Sequence, residues 1–142
     1  MRHMGFIVLS VSLAILLLFG FGLGLNVSNA QESDAEERKP VDIITEIRSL
    51  LNQTIIEYQN KNFSGSSALV EEAYLENYEF IEAPLAEQNE TLMEETEVML
   101  REQLRDLVKS EGVEADVQML AEKINSNLDQ ADLLLTNQTE KN

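Results

Sequence analysis

The stretch EADVQMLAEKINSNLDQADLLL, Glu114 to Leu135, decides the fold. Val117, Leu120, Ile124, Leu128, Ala131 and Leu135 recur within it at spacings of 3, 4, 4, 3 and 4, the period of one buried helix face. A seam that regular belongs to a helix packed lengthwise against others, as in a bundle. Upstream, Pro40 suits a first helical position, and Ile44, Ile47, Leu51, Ile55 and Tyr58 predict a helix ending near Lys61. Met93, Leu100, Leu104 and Leu107, with Val108 beside them, predict another. Its entry is a capping box of Thr91 and Glu94 or a cap at Asn89, and its exit is Lys109 followed by a C′ glycine, Gly112. Thr96 and Glu97 interrupt that seam, and Glu97 can pair with Arg101 one turn on. Nothing in the chain after residue 30 alternates with period two. The expectation is an all-α fold, an antiparallel up-down four-helix bundle over residues 40–135, with a polar, disordered tail at 136–142.

The remaining helix is the chemically distinctive one. Asn62 to Ser67, NFSGSS, reads as a loop, and Ala68 to Ala83 as a helix that stops before Pro84. Within it VEEAYLENYEFIEAP, Val70 to Pro84, holds five glutamates and three aromatics. At 100° per residue Glu72, Glu76 and Glu79 share an arc of roughly 60°, with Glu82 one turn further, while Val70, Ala73, Tyr74, Asn77 and Ile81 lie on another face. Ten glutamates and no lysine or arginine separate Lys61 from Arg101, so this column has no counter-charge nearby in the chain.

The N-terminus reads as a targeting segment. Residues 1–30 contain no acidic residue, Gly5 to Leu25 is an uncharged run, and Ser28-Asn29-Ala30 offers a cleavage site before Gln31. The segment is either a signal peptide or an N-terminal transmembrane anchor, since its apolar run is long enough to span a bilayer. Both place the remainder outside the cytoplasm, secreted or anchored to the membrane, with residues 31–39 as a flexible linker.

Composition excludes several function classes. After residue 30 there are 26 acidic residues against 9 basic ones, which disfavours nucleic acid and anionic lipid and favours cations or basic partners. The chain has no cysteine, its single histidine is His3, and it lacks a phosphate-binding glycine loop, so the parts of most enzymes are missing. Carboxylates in register suit hard or borderline cations such as calcium, manganese or iron, and Tyr74 and Tyr78 could add phenolates to ferric iron. The Glu-x-x-His pairs of a ferritin-like di-iron centre do not occur. The other reading of the same residues is a solvated acidic face over core aromatics. Asn-x-Ser/Thr sequons stand at Asn26, Asn52, Asn62, Asn89 and Asn137, which suits either a glycosylated cell-surface adaptor with a basic protein partner or simply asparagine-rich loops.

Residues 73–82, AYLENYEFIE, followed by Leu92-Met93-Glu94-Glu95 and Leu100-Arg101-Glu102-Gln103-Leu104-Arg105, resemble the helical extracytoplasmic domain carried by some prokaryotic iron permeases of the oxidase-dependent FTR type. The likeness covers about residues 68–135. It implies an all-helical module that binds iron or another divalent cation and presents it to a membrane transporter, and it puts Glu72, Glu76, Glu79 and Glu82 at the metal site. The permease region and its Arg-Glu-x-x-Glu motif do not occur in these 142 residues, so an accessory role is expected rather than transport.

Overall fold

Proline at a first helical position costs no hydrogen bond and presets φ, and the first helix opens on Pro40. The computed structural model describes residues 38–139. They form α1 (Pro40–Gln59), α2 (Phe63–Ala73), α3 (Glu79–Val98), α4 (Arg105–Lys109) and α5 (Glu114–Thr139). Wide π-helical turns at Tyr74–Tyr78 and Met99–Leu104 join α2 to α3 and α3 to α4. The described chain is therefore all-helical, in three stretches at 40–59, 63–109 and 114–139, with no strand among the described residues. The proposed targeting segment and most of the linker lie outside them. So does the end of the tail, although α5 continues through Thr136 to Thr139, where a disordered tail was expected.

Two tight turns separate the three stretches, and both close in the same way. Lys61 (φ 63°) and Glu111 (φ 51°) take the left-handed conformation, while Asn62 N donates to Glu57 O and Gly112 N donates to Leu107 O, each at 2.9 Å. The left-handed residue is thus Glu111 and not the expected Gly112. Space favours glycine one position later, since a Cβ there would lie 3.0 Å from Leu107 Cδ2 and 3.2 Å from Leu107 O. The Tyr58 hydroxyl donates to Gly112 O at 2.5 Å and ties the two turns together.

The second stretch departs from expectation at both ends of the predicted helix. It starts at Phe63 rather than Ala68 because Asn62 is the cap, its Oδ1 accepting from Gly65 N at 3.1 Å. Phe63 then packs edge-on against Tyr58, and the Ser66 hydroxyl donates to Thr54 O at 3.0 Å. The helix also runs through Pro84. Burial of Ile81 and Leu85 holds the turn on either side against the hydrogen bond that proline cannot donate. The break comes instead at Asn89 (φ −158°, ψ 88°), where two helices meet. Its Oδ1 accepts from Leu92 N at 3.1 Å, so Asn89 supplies the cap and Thr91 does not.

Beyond that break the chain returns along itself. The Tyr78 hydroxyl donates to Met93 O at 2.9 Å, and Lys109 Nζ reaches Glu71 Oε1 at 3.1 Å. One core results, built from Ile44, Ile47, Leu51, Tyr58, Val70, Tyr78, Ile81, Leu85, Leu100, Leu104, Val108, Val117, Ile124, Leu128 and Leu135. Leu120 is only half-buried, and Ala121 takes the covered position beside it. Thr96, the interruption in the third seam, is 1 % exposed. Its hydroxyl donates to Leu92 O at 2.7 Å and accepts from Asn127 Nδ2 at 3.0 Å, which sets the register of α3 against α5.

Replacing Thr96 by valine leaves the Asn127 amide buried without an acceptor and should cost about 1–3 kcal/mol in urea unfolding. Adding Asn127→Leu should recover part of that loss. An unchanged unfolding midpoint in Thr96→Val would show that the pair is not buried as described.

Candidate functional site

A π-helical turn accommodates one more residue than an α-helical turn, so side chains beyond it are displaced by about 100° from continuous α periodicity. The turn at Tyr74–Tyr78 lies between Glu72 and Glu79, inside the predicted column. Glu72, Glu76 and Glu79 are exposed, and none of their carboxylates has an ion-pair partner among the described residues. Glu82 is half-buried. No group of three or more His, Cys, Asp or Glu side chains among the described residues is arranged to hold a metal ion. The residues therefore do not fit a closed, resident metal centre.

A different grouping forms around Glu82. Its Oε1 is buried and has no hydrogen-bond partner. Burial, then the charge of Glu97, then that of Glu79 push the Glu82 carboxyl above the ordinary glutamate value, against a hydrogen bond from the Tyr74 hydroxyl and the charge of Arg101. Glu97 comes from the return half of α3, and its Oε1 lies 3.4 Å from the Tyr74 hydroxyl, the donor. Arg101 pairs with Glu97 and, at 2.9 Å, with Glu102, and its guanidinium stands 6.0 Å from the centre of the Tyr74 ring. Tyr78, fully buried, stacks on Tyr74 at 6.5 Å between ring centres. Burial raises the pKa of both phenols, so they are neutral donors at physiological pH and not phenolates.

The missing counter-charges arrive from two directions. Arg105 Nη2 and Lys109 Nζ reach Glu71 Oε1 at 3.3 and 3.1 Å, and the Lys109 contact holds the Glu71 carboxyl below its usual value. Arg38, just before α1, donates to Asn77 Oδ1 at 3.0 Å and to Glu76 O at 2.6 Å, and lies 4.8 Å from the centre of the Phe80 ring. These cations contact Glu71, Asn77, the Glu76 carbonyl and the Phe80 ring, so Glu72, Glu76 and Glu79 are left without an ion pair. A cavity of about 200 Å³ opens beside Arg101, floored by Val70, Tyr74 and Leu100. The two π turns supply Tyr74, Leu100 and Arg101 to it.

Glu97 was legible in sequence only as half of an i,i+4 ion pair, and its meeting with Tyr74 and Glu82 depends on the reversal at Asn89. With a neutral tyrosine, two neighbouring carboxylates and one arginine, the grouping favours holding a proton on Glu82. It contains no nucleophile with a base behind it. Comparison with family models, with curated proteins and with solved structures finds no match.

The raised pKa of Glu82 means that the folded chain binds this proton more tightly than the unfolded chain does. Its contribution to stability is complete below the ordinary glutamate pKa and is lost as pH rises through the higher folded value. Glu82→Gln should therefore withstand more urea than the parent at pH 7 in the presence of a chelator, and the two should converge below about pH 4. A gap that stays constant across pH would mean that Glu82 is not strained by its surroundings.

Proposed function

We propose that this chain is a non-enzymatic extracytoplasmic accessory module that captures cations, iron foremost, through the carboxylates of residues 72–82 and passes them to a membrane transporter of the iron-permease type. The observation that carries the reading is the buried, unpartnered oxygen of Glu82 beside Glu79 and Glu97. A carboxylate in that position gains a partner when a cation arrives, and the cation is cargo rather than a resident cofactor. Exposed Glu72 and Glu76 raise the local cation concentration around it. Counting the chain on either side of Asn89 as separate helices, the scaffold reads as an antiparallel up-down four-helix bundle, with residues 1–30 as its signal or anchor.

A second reading has its own observation. Phe80 is 60 % exposed and Leu75 49 %, and both stand among the uncompensated glutamates. Such a surface suits an adaptor that binds a basic amphipathic protein segment.

Calorimetric titration of the purified chain with Fe²⁺, Fe³⁺, Mn²⁺ and Ca²⁺ separates the two. Glu82→Gln should weaken cation binding by about tenfold or more, equivalent to about 1.4 kcal/mol, and Glu97→Gln should do the same, while Glu72→Gln changes it by less than about threefold. Absence of any saturable binding below about millimolar metal, which corresponds to about 4 kcal/mol, would sink the cation reading.

A further inference from the structure

The sequons are not used by the cation reading, and the fold treats them very differently. Transfer of a glycan to asparagine needs a free carboxamide nitrogen and a reachable hydroxyl two residues on, presented on a surface segment. Asn52 lies inside α1, and the hydroxyl of its sequon, on Thr54, is buried and donates to Leu50 O at 2.8 Å. Asn62 is engaged at both ends of its carboxamide, with Nδ2 donating to Glu57 Oε2 at 2.5 Å and Oδ1 capping α2. Asn137 lies in α5, and its Nδ2 donates to Leu133 O at 2.6 Å. Asn26 lies outside the described residues.

Asn89 differs from Asn52 and Asn137 in its non-helical backbone, and from Asn62, also an exposed cap with an exposed sequon hydroxyl on Ser64, in its carboxamide nitrogen. Its backbone is extended at the one non-helical position of α3, and residues 87–91 are all exposed. Only Oδ1 is engaged, by the Leu92 amide, which leaves Nδ2 without a partner among the described residues. The Thr91 hydroxyl, displaced from the capping role by Asn89, is exposed and also unengaged. The cap and the modification use opposite ends of one carboxamide, so a glycan can be attached without unfolding the helix start.

We propose that Asn89 is the acceptor of an N-linked glycan. In the transfer, Nδ2 forms a bond to C1 of a sugar carried on a polyprenyl phosphate-type lipid. The C1–O bond to that carrier breaks, the phosphate leaves with the electron pair, and the amide gives up one proton. Modification in the cell rests on the extracytoplasmic location proposed above, whereas reaction of the purified chain does not.

The folded full-length chain is incubated with a single-subunit oligosaccharyltransferase and a lipid-linked oligosaccharide, and occupancy is read peptide by peptide by mass spectrometry. The expected result is a glycan mass on the Asn89 peptide, with Asn52, Asn62 and Asn137 largely bare. Asn89→Asp, which keeps the capping oxygen, abolishes it and leaves the helical circular dichroism unchanged. A bare Asn89, or earlier occupancy of Asn52 or Asn62, overturns the proposal. So does an identical preference in the urea-unfolded chain, because the fold would then play no part. A chain modified in this way but recovered from the cytoplasm refutes the location alone.

Discussion

One hydrogen bond, from the Leu92 amide to the Asn89 carboxamide, marks the reversal on which the rest of the structure depends. Without a reversal there, the chain from Phe63 to Lys109 would be a rod of about 70 Å with its apolar face uncovered. With it, Tyr78 reaches Met93, Lys109 reaches Glu71, and Tyr74 meets Glu97. A cap is sufficient because packing supplies most of the energy. Each large apolar side chain taken into the core contributes about 1.5–3 kcal/mol, whereas the cap contributes about 1.

The same packing must offset a large charge imbalance without disulfides, since the chain has no cysteine. The structure does not neutralise its acids evenly. Arg101, Arg105 and Lys109 line one side of the returning helix and satisfy Glu71, Glu97 and Glu102. These pairs are largely solvent-exposed and add little stability individually. They leave Glu72, Glu76, Glu79 and Glu82 without an ion pair. Unpaired acids thus stand beside the one carboxylate oxygen that, among the described residues, is buried without a hydrogen-bond partner.

Two π-helical turns face the same small cavity, one from each half of the hairpin. Each lets a helix bury residues that strict 3.6-residue periodicity would divide between faces. Tyr74, Asn77 and Tyr78 are all covered in the first, and Met99, Leu100 and Leu104 in the second. The cost is borne by the carboxylates, whose alignment on a straight helix does not survive the turn.

Local pattern alone determined the all-helical class, the main seam positions of α1 and α5 and the proline start at Pro40. These follow from periodicity and composition, which act over a few residues and need no partner. Tertiary structure decided the rest. Pro84 remains inside a helix because Ile81 and Leu85 are buried on either side of it, and packing outweighs one lost hydrogen bond. The left-handed position falls on Glu111 rather than Gly112, and Leu107 crowds the space a Cβ at 112 would take. Thr96, an interruption in one seam, is a partner once Asn127 faces it from another helix. Glu82 is distinguished from its three neighbours only when burial and Glu97 act on it together, and both come from across the fold. Spacing along a helix fixes which face a residue is on, but what lies opposite that face is set by how the helices pack.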